Sequence, residues 1–533
     1  MAGKPLPPLA ARLVTMLLSL LAGVLAAIAF PPFGVLPGLL GYGLLMRMAE
    51  TGHPQAPWRS AFWRGWLAGF GFFVISTGWV YEAFLVEADQ AWMAPIAVAL
   101  LAAGLGLFWG AAALAYALLR PRGALRVLAF AGAFCLLEWL RGHLLTGFPW
   151  DLAGETWTAG SAPSQAAALV GAYGLGWITV AAAAAPALLL DPARTRRAWV
   201  GAGLGLAAIA GLYAYGAARL SHAPPPAADA PVIRIVQARV EQADKYSDQM
   251  FDDILQRYVT LTGQAAARRP AVVIWPEGAI PDSANVFLAD GMWTKSAIAS
   301  AMSPGQTLIL GAYRVVGATY KHPIYYNTLL ALRDEGGDLQ TTAVYDKFRL
   351  VPFGEYMPLD GLMTRLGVKA LTHTGDSFSP GPGPRSIVTP GLPRLQPLIC
   401  YESLFPGFTR AAARKAGRAA WIVNVSNDAW FGRTYGPVQH LNLARYRAIE
   451  EGLPMARATP TGASAMIDAY GRIAPGQSLG PGALGVIDAP LPAALPPTPF
   501  AVHGEVLFWM MILVSALAAG AAQRRKAGLR NSN

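Results

Sequence analysis

Six long apolar runs crowd the first 220 residues, near positions 9–30, 63–86, 92–119, 124–145, 165–190 and 198–218. Each is about long enough to cross a hydrocarbon layer of roughly 30 Å, and a soluble core does not call for so many in succession. A shorter run, Val35–Met46, is interrupted by Pro37 and several glycines, and a last one covers Val506–Ala522. Eight membrane spans are therefore expected, seven before residue 220 and one at the end. Composition agrees, since apolar residues make up 54% of the chain and charged ones 14%, against roughly 45–50% and 25% in soluble proteins. A wholly soluble or disordered protein is excluded.

Basic residues in short loops stay on the cytoplasmic side. With the N-terminus inside, that side receives Lys4 and Arg12, Arg47 with Arg59 and Arg64, Arg120 with Arg122 and Arg126, Arg194 with Arg196 and Arg197, and the tail Arg524, Arg525, Lys526 and Arg530. The opposite side receives only Arg141 and Arg219 near the membrane. An odd span count would put the basic tail outside, so eight spans and two cytoplasmic termini are expected. The first run follows Lys4 and Arg12 as a signal peptide would, but six further long or short spans make it an uncleaved helix.

The net charge of +11 does not mark a nucleic-acid binder. Residues 1–220 carry 13 basic and 8 acidic side chains and the tail from Gln523 carries 4 and none, whereas residues 221–522 carry 25 and 23. The excess lies in the membrane part and the tail, and no nucleic-acid partner is expected. The two cysteines, Cys135 and Cys400, form no CxxC pair, so neither a structural zinc site nor a disulfide framework is available.

Three parts follow from this texture: a seven-span domain over residues 1–220, a soluble domain on the non-cytoplasmic face over 221–500, and a final helix with its basic tail over 501–533. Pro224, Pro225 and Pro226 form one linker and the Pro-rich stretch Ala489–Pro499 the other. Inside the soluble part, β-branched runs predict strands at Val232–Gln237, Ala271–Trp275, Thr307–Ala312, Asn327–Leu332, Ala343–Lys347, Leu395–Cys400 and Ala420–Val425. Apolar spacing predicts helices at Asp244–Ala267, Gly407–Ala416 and Val438–Glu451. Strands recurring between helices predict a layered α/β fold.

Three predicted strand ends carry reactive side chains. Cys400 ends PLIC and precedes a helical segment, whose N–H groups would lower a thiol pKa and hold an oxyanion; the other reading of an isolated Cys is a buried small apolar residue. Glu277, in AVVIWPEGAIP, is fixed between two prolines. Apolar neighbours would raise its pKa toward the range of a general base, unless it is a surface turn carboxylate. Lys347, in VYDKFRLVPFGEYMP, can neutralise a carbonyl oxygen with Glu355 holding it charged, or form a surface ion pair with it. Together they supply nucleophile, base and oxyanion partner, the requirements of acyl transfer through a thioester. The histidines offer no HExxH pair, and His440 reads as a satisfied surface or core residue. In the membrane part, Arg141 and Glu138 near the outer end of the fifth span are costly in lipid and are either functional or a structural pair.

The segments WPEGAIP, YDKFRLVPFGEYMP, LICYESLFP and VSNDAWFG resemble those of the nitrilase, or carbon-nitrogen hydrolase, superfamily. Their place between seven spans and one, together with EWLRGHLLTGFPW at the end of the fifth, resembles the apolipoprotein N-acyltransferase family of bacterial inner membranes. The resemblance implies a multi-pass α-helical membrane domain joined to a periplasmic nitrilase-like α-β-β-α sandwich. It implies a catalytic triad of Glu277, Lys347 and Cys400, with Glu355 as the supporting carboxylate, Tyr401 and Glu402 flanking the nucleophile and Asn327 near the site. It further implies a phospholipid acyl donor and the N-terminal α-amine of a diacylglyceryl-cysteine apolipoprotein as acceptor; no cofactor or metal is expected, and a monomer is expected although nothing in the sequence reads out the oligomeric state. Trp430 and Phe431 would cover the pocket or serve as core packing, and Arg141 would support donor binding. A membrane-tethered amidase that uses water as acceptor shares the same triad. Three positions depart from the family pattern: VQARVEQ stands where VQGNIPQ is usual, Arg349 where His is common and Pro460 where Asn is common.

Overall fold

The computed structural model describes residues 8–51, 55–86, 89–119, 123–192, 195–222, 229–245, 248–317, 323–358 and 377–530. The linker prolines Pro224–Pro226 lie outside the described residues. Two compact units emerge, one of Met1–His222 with His503–Asn533, the other of Ala223–Val502.

The first unit is helical. Among the described residues, five helical stretches are long and apolar enough to cross a membrane: Leu9–Ile28, Ala91–Leu119, Arg126–Thr146, Pro163–Leu190 and Arg196–Leu220. The predicted run 35–46 folds instead as a tight turn, Leu36–Leu39, and an 11-residue helix, Leu40–Glu50. The predicted run 63–86 is a helix of Pro57–Ser76 that stops at Thr77 and resumes as the short Val80–Ala83. The C-terminal helix covers Val506–Arg530, with its apolar part at Val506–Ala521.

Small residues let these helices approach. A Cβ on Gly69 would lie 2.8 Å from the Cα of Gly106 and from the Cβ of Trp109, so Pro57–Ser76 and the helix Ala94–Leu119 meet almost backbone to backbone. Trp109 fills the space around that contact, its ring 4.8 Å from Phe72 and 4.8 Å from Phe134. Arg47 and Arg126 each bridge Glu50 and Asp191 at 2.7–2.9 Å.

The second unit is a sandwich of two sheets. The strands β1 (Val232–Gln237), β2 (Val272–Trp275), β3 (Thr307–Val316), β4 (Ile324–Asp334), β5 (Leu339–Asp346), β6 (Leu395–Ile399), β7 (Trp421–Val425), β8 (Met455–Ala458), β9 (Ser464–Ile467), β10 (Ser478–Leu479) and β11 (Gly485–Pro490) divide into orders β11-β1-β2-β3-β4-β5 and β10-β9-β8-β7-β6. Neighbours β1-β2-β3 and β6-β7-β8 are parallel, and the outer pairs are antiparallel. The parallel strands are buried on both faces, which is why they read as continuous β-branched runs in the sequence. Ile233, Ile235 and Ile274 meet Trp421, Val423 and Val425 between the sheets. The outer face of the first sheet is covered by the helices Phe251–Gly263 and Trp293–Ala301 through Val273, Trp275, Leu308 and Leu310. Helices Phe408–Ala416 and Gly436–Glu451 belong to the second sheet, and Leu443, Ala444 and Ile449 are fully buried there. The expected α-β-β-α layering is thus present beside a helical membrane part.

Two readings need correction. The predicted helix 244–267 is only Phe251–Gly263, because Gly263 weakens helix propagation and the segment beyond it runs into Pro270. Strands β3 and β4 extend well past their predicted ends and pair from Thr307↔Arg333 to Val316↔Ile324, a register set by cross-strand contacts that single-strand patterns do not contain.

Candidate active site

Glu277, Lys347 and Cys400 each directly follow or nearly follow the carboxyl end of a strand, β2, β5 and β6 respectively. Asn327 sits on β4, and its carbonyl accepts the Lys347 N–H at 2.8 Å, which pins the lysine backbone to the sheet. The side chains then close on one another. Lys347 Nζ donates to Glu277 Oε1 at 3.2 Å and to Glu355 Oε1 at 3.0 Å, and Asn327 Nδ2 donates to the same two oxygens at 2.6 Å each. Glu277 Oε2 accepts the backbone N–H of Asn427 at 2.7 Å, a group that follows β7 in the other sheet. Glu355 Oε2 accepts the Val351 N–H at 2.8 Å. All four residues are nine-tenths or more buried.

Cys400 opens the short helical turn Cys400–Leu404 with φ of 47°, a left-handed conformation that costs energy for any residue but glycine. The fully buried Glu402 holds that turn. Its Oε2 accepts the N–H of Ile399 at 2.9 Å, while its Oε1 accepts the N–H groups of Phe348 and Arg349 at 2.7 and 3.2 Å and the Tyr345 hydroxyl at 2.9 Å. One carboxylate therefore ties the Cys400 turn to the residues beside Lys347. Tyr401 is buried with its ring edge-on to Phe405.

Charge decides the resting state. Burial opposes ionisation of Glu277, but the Lys347 ammonium and the Asn327 donor outweigh it and hold the carboxyl below the usual glutamate range. The expected upward shift is absent because the site is polar rather than apolar. Burial also opposes charge on Lys347, yet Glu277 and Glu355 hold it firmly protonated. The Cys400 thiol is pushed up to about 12, by burial and then by the charge of Glu277, with Lys347 pulling the other way. The expected lowering is reversed because the thiol is buried and faces the Glu277 carboxylate, which together outweigh the ammonium. Burial raises Glu402 to about 7 despite its donors.

Behind the turn lies a chain of polar groups that the sequence did not single out as a site. Arg457 makes two bonds to Asp428, at 2.9 and 2.8 Å, and Asp428 Oδ1 lies 2.8 Å from Ser426 Oγ and 3.0 Å from His440 Nδ1. His440 Nε2 is 3.1 Å from Ser403 Oγ. His440 is therefore a satisfied core residue. Phe431 packs edge-on against it at 5.6 Å, and Trp430 is half-buried on the same turn. Lys245 is buried and its charge acts on Glu277, although no pattern marked it, since a lone lysine in a predicted helix reads as a solvated face.

Arg141 lies in the helical unit. It donates to the carbonyls of Phe148 and Trp150 at 2.6 and 2.8 Å and to Glu138 at 2.9 Å, and Glu138 accepts the Ala153 N–H at 2.9 Å. Ser76 donates to Asp151 at 2.7 Å. Together these bonds fold the segment after Thr146 back against the helices.

The helical unit matches the model of the apolipoprotein N-acyltransferase N-terminal domain over residues 22–185, and the second unit that of the carbon-nitrogen hydrolases over residues 233–495. An apolipoprotein N-acyltransferase of Caulobacter vibrioides is 54% identical over 505 residues, with 94% of this chain and 93% of that protein covered. Another from Rhodopseudomonas palustris is 38% identical over 505 residues, with 92% and 91% covered. Among solved structures, an amidase from Nesterenkonia sp. is similar at 18% identity with a TM-score of 0.32, over 54% of this chain and 98% of its own. Similar to the first two along nearly all of its length, in the helical unit as in the sandwich, the chain belongs to the apolipoprotein N-acyltransferase family.

Proposed function

We propose that this protein transfers a fatty acyl chain from a membrane phospholipid to the N-terminal α-amine of a diacylglyceryl-cysteine apolipoprotein, through a thioester on Cys400. The observation that carries the reading is the bonded set Glu277, Lys347, Glu355 and Asn327 beside a strained cysteine turn, in a chain whose relatives bear that enzyme's name. The bacterial inner membrane is the proposed location, with eight spans, both termini cytoplasmic, the sandwich periplasmic and the protein a monomer.

Because the thiol is protonated at rest, its proton leaves as the sulfur attacks. Glu277 takes the proton while Cys400 Sγ bonds to the ester carbonyl carbon, and Lys347 with the Tyr401 N–H holds the oxyanion. The carbon–oxygen bond then breaks, Glu277 returns the proton to the glycerol oxygen, and a lysophospholipid leaves. In the second half-reaction the acceptor amine attacks the thioester, Glu277 takes its proton, the carbon–sulfur bond breaks and the proton goes to Sγ. The product is an amide, and the kinetics are ping-pong. Trp430 and Phe431 serve to limit water at the thioester.

Intact-protein mass spectrometry after incubation with phospholipid tests the scheme. The wild type is expected to gain a hydroxylamine-labile acyl mass that Cys400→Ala lacks, and to lose it to an N-acylated peptide when acceptor is added. Release of free fatty acid at the same rate with or without acceptor would make the protein a hydrolase.

A further inference from the structure

Of the segment 238–245, one side chain bonds Asn427, the residue whose N–H holds Glu277, and a second lies beside Gly278, neither with a part in the steps above. Gln242 is 4% exposed; its Oε1 accepts from Asn427 Nδ2 at 2.9 Å, and among the described residues its Nε2 has no hydrogen-bond partner. A buried amide N–H left unmade is costly and is kept where a ligand completes it. Its place is specific. Lys347 and Asn327 hold Glu277 Oε1, whereas Oε2 is held by the backbone N–H of Asn427, the residue that Gln242 bonds. Gln242 thus stands on the side of the base away from the oxyanion partner. Lys245, 6% exposed, lies on the neighbouring backbone: a Cβ on Gly278 would fall 2.2 Å from its Nζ.

The acceptor needs a donor on that side. Its amine must reach Glu277 to lose a proton, and three bonds from that nitrogen every N-terminal residue of a peptide carries a carbonyl oxygen. We propose that Gln242 Nε2 binds this first backbone carbonyl of the acceptor, with Lys245 supplying positive potential that suits the oxygen and disfavours the protonated, unreactive form of the amine. The site would then distinguish an α-amino amide from a plain lipid amine. This inference deepens the function proposed above and rests on its choice of acceptor.

The test is binding to the full-length Cys400→Ala protein in lipid nanodiscs. One ligand is an S-diacylglyceryl-cysteine peptide amide; the other is S-diacylglyceryl-cysteamine, which keeps the amine, thioether and both chains but lacks the carbonyl. The peptide is expected to bind at least ten-fold more tightly. Gln242→Met is expected to erase that preference while still binding cysteamine, which also shows that the variant is folded. Equal affinities in the Gln242 protein, or an undiminished preference in the variant, would overturn the proposal. Binding is read without thioester chemistry, so a failure to acylate Cys400 strikes only the function proposed above.

Discussion

Glu402 Oε1 accepts the backbone N–H of Phe348 at 2.7 Å, so the second residue after Cys400 holds the residue after Lys347. The same carboxylate accepts Ile399 N–H and Arg349 N–H. Glu402→Ala strands these donors in the core at about 1–3 kcal/mol each. Acyl-enzyme formation is expected to fall at least 100-fold, with a melting temperature lower by several degrees. An unchanged acylation burst would show that the turn holds its shape without this carboxylate.

Glu277 and Lys347 pull the thiol in opposite directions, which separates ionisation from catalysis. Burial and Glu277 raise the Cys400 pKa, and Lys347 lowers it. Glu277→Gln is therefore expected to speed alkylation of Cys400 by iodoacetamide at pH 8 several-fold while abolishing acylation. Lys347→Met is expected to slow both. Alkylation that falls in Glu277→Gln would contradict the assigned sign.

Asp428 faces Arg457 through two bonds, and both are fully buried. Breaking a buried pair by removing one charge costs about 3–5 kcal/mol. Asp428→Asn should lower the thermal midpoint of the detergent-solubilised protein by roughly 10 °C, at the usual few degrees per kcal/mol. His440→Gln, which leaves that ion pair intact, should lower it much less. Equal losses in the two variants would place the weight on the histidine instead.

Burial, and then the charge of Glu450, raises Glu451 to about 8. The folded state keeps a proton that the unfolded chain releases near pH 4.3, so this contribution is full below that pH and is lost as pH rises through 8. Glu451→Gln cannot ionise. Its melting temperature should match wild type at pH 4 and exceed it by several degrees at pH 9. Parallel profiles in melts across that range would rule out the buried protonated acid.

The strand ends were readable because a buried parallel strand is a continuous apolar run, and the residue that breaks the run is where a polar side chain can emerge. That logic located Glu277 and Cys400 with their strands, whereas Lys347 follows β5, a partly exposed antiparallel edge strand that shows in the sequence only as a short run of threonine, alanine and valine. It did not locate β8 to β11, whose short segments, such as MARA and SAMI, carry little pattern of their own and are strands because β7 pairs with β8, β8 with β9, β9 with β10 and β1 with β11. Helix ends near Thr77 and Gly263 were equally indistinct, since apolar runs continue past both.

Apolar run length determined the membrane character, and the order of short motifs determined the sandwich and its reactive side chains, because both are properties of contiguous chain. The signs of the pKa shifts were a tertiary matter. Glu355 and Asn327 reach Glu277 and Lys347 only through folding, and burial together with the charge of Glu277 outweighs the Lys347 ammonium and keeps the thiol protonated. Gln242 and Glu402 took on their places in the same way: a buried polar group has no periodic signature, and its partners are chosen by whichever backbone the sheets bring beside it.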